Sequence, residues 1–259
     1  MFVDAHCHLA DPRFDAIRDA VLERARAAEI GYFIQGGVGP EDWARQMRMA
    51  SANWFLAFGL HPWFVADHDD EACETALAAL RDLLPRAVAL GELGLDRGPR
   101  CDPASLPRQR HFFERQLVLA RELDKPLVLH VVRAHGEVIA MLRRLGGTWR
   151  GLVHAFTGSL EIARDYLDLG LYLSIGGALT RPGYKKLKNA VSDIPLDRLV
   201  VESDAPDMAP HGFDRGLNEP CGLWPVAEAL GERTNREARE VLRQSAVNLD
   251  RIFALELVL

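Results

Sequence analysis

The sequence predicts an α/β fold, a TIM-type (β/α)8 barrel that forms a single domain over residues 1–259. Eight short, β-rich apolar runs alternate with helical patterns in strict order. Nearly continuous apolar runs are typical of parallel strands that are covered on both faces. A chain of 259 residues, 48% of them hydrophobic, can build one barrel of about 250 residues. No linker, internal repeat or low-complexity segment indicates a second domain.

The strands are predicted from apolar runs that end at glycines or polar residues. The first lies within the first nine residues, and Gly36-Gly37 closes the second. Residues such as valine, isoleucine and phenylalanine favour a pleated, buried strand over a loop. The predicted strands cover residues 3–9, 32–34, 55–58, 87–90, 127–130, 151–154, 171–175 and 199–204.

The helices between them are predicted from apolar side chains at helical spacing, as with Ile17, Val21 and Ala25 in the first. The helix before Lys125-Pro126 must end there, because proline disfavours helical geometry in the preceding residue. Gly146-Gly147 ends the next one. The predicted helices cover 15–29, 40–52, 70–83, 105–124, 135–145, 159–168, 222–232 and 235–247, with 182–192 as a helix or turn.

Composition restricts the partners and the compartment. The formal net charge of -6 argues against wrapping duplex DNA, which needs a broad basic face. It leaves room for a small site where bound metal ions supply positive charge. The four cysteines have no C-x-x-C spacing, which indicates reduced thiols. With no signal-peptide pattern and no 18-residue apolar run, we expect a cytoplasmic monomer without a membrane span.

The first strand carries a pair of metal-ligand candidates. Side chains two apart on a strand point to the same face, so His6 and His8 project together and Cys7 does not. Paired imidazoles are common metal ligands. Alternatively, one of them is a core residue and the other is solvated.

Most of the other predicted strands also end in a polar residue capable of chemistry. In a barrel these carboxyl ends converge on the face where active sites lie. A single buried histidine would more often be structural, but a coincidence at so many equivalent ends is excluded. The residues are His6 and His8, then His61, Glu92, His130, His154 and Asp204.

Four of these five histidines, together with the two carboxylates, suit two divalent ions better than one, because a single catalytic zinc needs only three protein ligands. Glu92, on a middle strand, is the natural bridge between the ions. Mixed nitrogen and carboxylate ligands fit Zn, Mn, Ni or Fe, and Mg less well.

Six segments around these residues form a series of motifs that covers essentially the whole chain. They are Val3-Asp-Ala-His-Cys-His-Leu9, Gly59-Leu-His-Pro62, Gly91-Glu-Leu-Gly-Leu-Asp96, Leu129-His130, Gly151-Leu-Val-His-Ala-Phe-Thr-Gly-Ser159 and Glu202-Ser-Asp-Ala-Pro206. In this order they resemble the motifs of the TatD family. That resemblance implies a metal-dependent hydrolase with a TIM barrel, and many members of the family are described as deoxyribonucleases.

The resemblance also implies roles for single residues. His6, His8, Glu92 and Asp204 would hold the first ion. Glu92, His130 and His154 would hold the second. His61 would contact the substrate. Four further polar residues are interpreted as structural or as supports of the ligands: Asp4, Asp96, His135 and Glu202.

The chain departs from the family pattern at the expected rim of the site. Val132 stands where the family has arginine, with Arg133 next to it as a substitute substrate contact. Trp63 follows His61-Pro62 where a second histidine is frequent. An arginine-rich Arg97-Gly-Pro-Arg100 replaces the aromatic that many members have. These changes leave the ligand set intact, which argues against a catalytically dead binding barrel.

The predicted reaction is hydrolysis by a metal-activated hydroxide, with Asp204 accepting the proton of the water. The expected substrate is an end of single-stranded DNA, cleaved in the 3'-5' direction, or a small phosphodiester or ester. The alternative is a binuclear amidohydrolase or lactonase acting on a small molecule. Phosphate contacts are expected among the arginines of the loops that follow strands: Arg97, Arg100, Arg133, Arg181 and Arg215.

Overall fold

The computed structural model describes residues 1–213 and 216–257. It contains eight parallel strands in one sheet, in the order of the sequence, and this confirms the predicted barrel. The strands are β1 (Phe2–Cys7), β2 (Ile30–Gly36), β3 (Trp54–Phe58), β4 (Ala89–Asp96), β5 (Leu127–Val132), β6 (Gly151–Val153), β7 (Tyr172–Ile175) and β8 (Leu199–Val201).

Helices surround the strands because each crossover between parallel neighbours needs a covering element. No helix in residues 1–213 and 216–257 has the length and apolar character that a membrane span requires. The helices are α1 (Arg18–Ala27), α2 (Pro40–Met49), α3 (Pro62–Asp67), α4 (Asp70–Leu83), α5 (Leu106–Glu122), α6 (His135–Leu145), α7 (Leu160–Asp168), α8 (Lys185–Ser192), α9 (Leu223–Thr234) and α10 (Ala238–Phe253).

Two apolar layers hold the barrel. The larger lies between the strands and the helices. The smaller fills the barrel interior with residues such as Val3, Ile34 and Val128 from successive strands. Side chains of α10 join this inner cluster, Leu249 and Phe253 among them. The end of the barrel that carries the candidate site is therefore lined by the polar residues.

The seam between β1 and β8 is closed by contacts other than a regular ladder. The carboxylate of Asp4 accepts hydrogen bonds from Ser203 N at 2.9 Å and from Ser203 Oγ at 2.5 Å. Just beyond it, Asp204 N donates to His6 O at 2.9 Å and His8 N donates to Ala205 O at 2.7 Å. The barrel is therefore nearly closed, and the seam passes directly beside the predicted ligands.

The predicted boundaries need several corrections. β4 covers Ala89–Asp96 and not 87–90, because its pairing with β5 continues to Asp96 and Val132, so Glu92 lies within the strand. β8 ends at Val201 and not at residue 204, because Ser203 N binds the Asp4 side chain and Asp204 has a left-handed backbone (φ 57°). α3 was not predicted. It begins at the His61 cap, where the imidazole accepts from Trp63 N. α1 begins three residues later than predicted, after a 3-10 turn, and α10 continues to Phe253.

Candidate metal centre

The two histidines of the first motif reach the centre through a bulge in β1. Between Asp4 and Cys7 the pairing with β2 shifts register, and such bulges redirect side chains near sites. His6 is fully buried. The His8 ring has its Nδ1 at 3.1 Å from Gly36 O, which leaves Nε2 for the centre. Both Nε2 atoms lie 3.4 Å from Glu92 Oε1.

Glu92 lies at a second register shift, between Gly91 and Leu93 of β4. Its two oxygens face different groups of histidines. Oε1 faces His6 and His8, while Oε2 lies 3.0 Å from His154 Nε2 and 3.4 Å from His130 Nδ1. The carboxylate therefore stands between two nitrogen pairs, as a bridging ligand must.

Asp204 completes the side of the centre next to β1. Its Oδ1 lies 3.5 Å from His8 Nε2 and 3.8 Å from His6 Nε2. The side chain is only slightly exposed, and it lines the cavity described below. Asp204 can thus contact both a cation beside His6 and a molecule in the cavity.

The remaining ring nitrogens of the other two histidines face supporting carboxylates. His130 Nε2 lies 3.2 Å from Asp96 Oδ2. His154 Nδ1 lies 3.7 Å from Glu202 Oε1, which also accepts a hydrogen bond from Ala155 N. Carboxylates in this position orient metal-binding imidazoles and raise their basicity. Asp96 and Glu202 thus lie where such supports would lie, and their supporting role stays a prediction.

The electrostatics of the centre favour positive charge between the ligands. Burial alone would raise the pKa of Glu92, but the imidazoles around it, His6 and His154 first, hold the pKa of this carboxylate well below its usual range. Burial would likewise lower the pKa of His8, yet Asp204 and Glu92 raise it to about 9. An ionised carboxylate pair surrounded by imidazoles is a suitable environment for divalent cations.

The unpaired nitrogen atoms of the predicted ligands also fit metal binding. Neither ring nitrogen of His6 has a hydrogen-bond partner within the described chain, although both are buried. Buried polar atoms are rarely left unpaired, and coordination of a metal ion is one of the usual reasons. Three overlapping groups have ligand atoms within 4.8 Å of one another: His6, Glu92 and His154; His6, His8 and Asp204; His61, Glu92 and His130.

His61 lies closer to the predicted metal ligands than a purely peripheral substrate contact would. Its Nδ1 accepts from Trp63 N at 3.0 Å, and its Nε2 lies 3.8 Å from Glu92 Oε2. Burial, with the neighbouring His130 adding to it, lowers the pKa of His61 well below its usual range. A neutral His61 therefore faces both the centre and the cavity.

Comparison with known proteins identifies the family. The chain matches the family described as TatD related DNase over residues 3–254. It belongs to the TatD family. The metal-dependent hydrolase YjjV of Escherichia coli K12 is 34% identical over 250 residues, 95% of each chain. YabD of Bacillus subtilis, also named a metal-dependent hydrolase, is 33% identical over 98% of this chain and 100% of its own.

A solved structure agrees with this assignment. The crystal structure of the TatD homologue YjjV from Escherichia coli superposes with a TM-score of 0.87 at 33% identity, and the match covers 98% of each chain. The resemblance of the sequence motifs is thereby confirmed. This TatD-family chain is a metal-dependent hydrolase with candidate histidine and carboxylate metal ligands.

A cavity of about 560 Å³ opens above the centre of this TatD-family chain. Its wall includes all the predicted ligands except the fully buried His6, together with His61 and Arg133. Arg133 has a left-handed backbone (φ 53°) and no hydrogen bond or ion pair to any described residue. Its guanidinium is therefore available to a ligand.

Three of the other predicted arginine contacts, Arg97, Arg100 and Arg181, are not among the residues of this wall. Arg97 pairs with Glu137, and Arg100 pairs with Asp67. Arg181 donates to Ala209 O at 2.9 Å. Arg215 lies outside the described residues. Among the described members of the predicted set, Arg133 alone lines the cavity, and its role as a phosphate contact stays a prediction.

The sequence analysis missed Arg13, which does line the cavity. Its guanidinium forms ion pairs with Asp11 and Asp207, from the loops after β1 and β8. The signal was present, because residues that directly follow a barrel strand belong to the mouth. Arg13 follows β1, whereas the predicted phosphate contacts all follow later strands in the sequence.

Proposed function

We propose that this chain uses two divalent ions to hydrolyse phosphodiester bonds, removing nucleotides from the 3' end of single-stranded DNA. His6, His8, Glu92 and Asp204 would hold one ion. Glu92, His130 and His154 would hold the other. The observation that most supports this proposal is that the two oxygens of Glu92 face separate histidine pairs.

The metal ligands, Asp204 and His61 would have different roles in the proposed reaction. Divalent ions bound here would lower the pKa of water and neutralise charge on the oxygens around phosphorus. Asp204 reaches both the centre and the cavity, so it would orient the attacking water and accept its proton. Burial lowers the pKa of His61, so His61 would contact the scissile group as a neutral hydrogen-bonding partner.

The preference for a single-stranded end follows from charge and shape. A net charge of -6 and, among the described residues, one unpaired arginine at the cavity offer few phosphate contacts. Duplex recognition usually uses many basic side chains along the backbone. A frayed or single-stranded end can enter a cavity of this size, whereas a stiff duplex cannot bring an internal phosphate to buried ligands.

An end-labelled oligonucleotide tests the direction and position of cleavage. The metal-loaded protein is expected to release mononucleotides from the 3' end, with little internal cleavage of duplex. A ladder of internal fragments, or release from the 5' end, would contradict the proposal. Salt should weaken binding only slightly, because few counterions are displaced.

Two variants separate the roles of the ligands. Asp204→Asn keeps the shape but removes the proton acceptor, so turnover should fall about 10²–10⁴-fold while much of the metal remains. Glu92→Ala removes the shared ligand and should deplete both sites. Elemental analysis should give two ions per wild-type chain. Near-wild-type turnover of fully loaded Asp204→Asn would show that the assigned base is wrong.

A second candidate function is hydrolysis of a small ester or lactone. The observation that favours it is the cavity wall, where Val131, Val132 and Met208 provide apolar surface beside Arg133. A panel of lactones and carboxylic esters, assayed with the same metal-loaded preparation, distinguishes the two. Rapid ester hydrolysis with no cleavage of DNA would favour this second function.

A further inference from the structure

One large aromatic side chain is exposed at the cavity. The described residues contain four exposed large apolar side chains, namely Met1, Ile17, Trp63 and Val118. Of these, only Trp63 lines the cavity. An indole has a large apolar area whose burial is favourable, so a ligand that covers this ring gains binding energy.

The Trp63 ring is held in place near the metal ligands. Its Nε1 donates to Asp96 Oδ2 at 2.7 Å. Its centroid lies 4.7 Å from that of His61 and 6.1 Å from that of His130, both in edge-on geometry. The ring orientation is therefore fixed before any ligand binds, which reduces the entropy cost of stacking on it.

A cation lies over the same ring. The guanidinium carbon of Arg100 is 5.5 Å from the Trp63 centroid, and Asp67 anchors this guanidinium through an ion pair. Arginine and tryptophan together form the usual surface on which unpaired bases stack, and this kind of contact tolerates different sequences.

We propose that Trp63, supported by Arg100, is the binding subsite for the nucleobase of the nucleotide whose phosphate reaches the metal centre. This rests on the proposed function and names the substrate class of the same site, a nucleotide with an intact base. Purines, which have the larger ring surface, should bind more tightly than pyrimidines. The subsite would select nucleotides over sugar phosphates that lack a base.

Binding of two ligands that share a phosphate tests the subsite without turnover. Calorimetric titration of the metal-loaded protein should show tighter binding of dAMP than of 2-deoxyribose 5-phosphate. Trp63→Ala should raise the Kd for dAMP about 5- to 150-fold, the equivalent of about 1–3 kcal/mol for stacking of one base. The Kd for 2-deoxyribose 5-phosphate should stay within about twofold of wild type, as expected for a contact that only the base makes.

Two further variants separate stacking from the bond to Asp96. Trp63→Phe keeps an aromatic face but loses the donor to Asp96, so it should retain most of the preference for dAMP. Val118→Ala, which shortens an exposed apolar side chain on α5 outside the cavity, should change neither Kd. The metal content of every variant is measured in parallel, so that loss of ions is not mistaken for loss of stacking.

Three results would overturn the subsite. They are equal wild-type affinity for the two ligands, equal losses for both in Trp63→Ala, and the same loss for dAMP in Trp63→Phe as in Trp63→Ala. Because no bond is cleaved, the titration stands apart from the nuclease test. A protein that degrades DNA but shows one of these results keeps its proposed function and loses the subsite.

Discussion

At the scale of single residues, Gly36 illustrates how closely the centre is built. A Cβ at this position would lie 2.8 Å from His6 Nε2 and 2.9 Å from Glu92 Oε1, and it would overlap His6 Cε1. The Gly36 carbonyl also lies 3.1 Å from His8 Nδ1 and accepts from Gln46 Nε2 at 2.8 Å. The requirement for glycine here is one of space, because the ligands occupy the volume of a side chain.

Gly36→Ala is therefore expected to displace His6 and Glu92 and to deplete the metal content, with turnover falling at least tenfold, as for lost supports of metal ligands. Elemental analysis and activity assays measure both. Gly136→Ala on α6 is the matched control, since nothing lies within 4 Å of its added Cβ. It should bind metal normally and be at least as stable as the wild type. Two ions and normal turnover in Gly36→Ala would contradict this account.

At the scale of elements, the seam between β1 and β8 depends on one side chain. Asp4 accepts from Ser203 N, Ser203 Oγ and His6 N. Burial raises the pKa of Asp4 to about 8, although the hydrogen bonds from Ser203 oppose this. The carboxylate therefore depends on these three donors to be stable in a buried position. The seam holds His6 and Asp204 at their positions on either side of the junction.

Asp4→Ala should lower the free energy of unfolding by about 1–3 kcal/mol for each buried donor left unpaired. Asp4→Asn should cost less, because an amide keeps the shape of the side chain and its oxygen can still accept from Ser203 N and His6 N. Urea unfolding at pH 7 in a chelator measures this apart from metal binding. Asp82→Ala, at an exposed position on α4, should stay within about 0.5 kcal/mol of the wild type. An Asp4→Ala variant as stable as that control would show that the seam needs no such contact.

At the scale of the whole molecule, the candidate ligands connect distant parts of the barrel. His6 and His8 come from the β1 end, Glu92 from β4, and Asp204 from the segment after β8. Ions bound among them would cross-link the N-terminal strand β1 to β4 and to the segment after β8. Since the unfolded chain cannot assemble this set, metal binding should stabilise the fold.

Metal loading is expected to raise the unfolding temperature. One site at a free metal concentration of 1,000 Kd contributes about 4.1 kcal/mol, which corresponds to roughly 8–16 °C for a chain of this size. Calorimetry before and after chelation measures the shift. Glu92→Ala should abolish most of it, whereas Glu228→Ala, an exposed glutamate on α9, should keep it. A wild-type protein whose unfolding temperature does not respond to metal would argue against resident ions.

The sequence alone determined the architecture and most of the candidate centre. The order of apolar runs and helical patterns predicted the barrel, because each periodicity follows from local backbone geometry. The polar residues at strand ends, such as His130 and His154, could be grouped because parallel strands share one carboxyl face. The exact strand ends could not be predicted from the sequence, since β8 stops where the Asp4 side chain replaces a ladder bond.

Tertiary structure decided the orientation of each side chain and the partner of each charge. Only the folded chain shows that the two oxygens of Glu92 face different histidines. It also shows that Arg100 is anchored by Asp67 while Arg133 has no partner in the described chain. Such pairings join residues that lie far apart in sequence. They depend on distances of a few ångströms that no local pattern specifies, whereas strands and helices arise from neighbours along the chain.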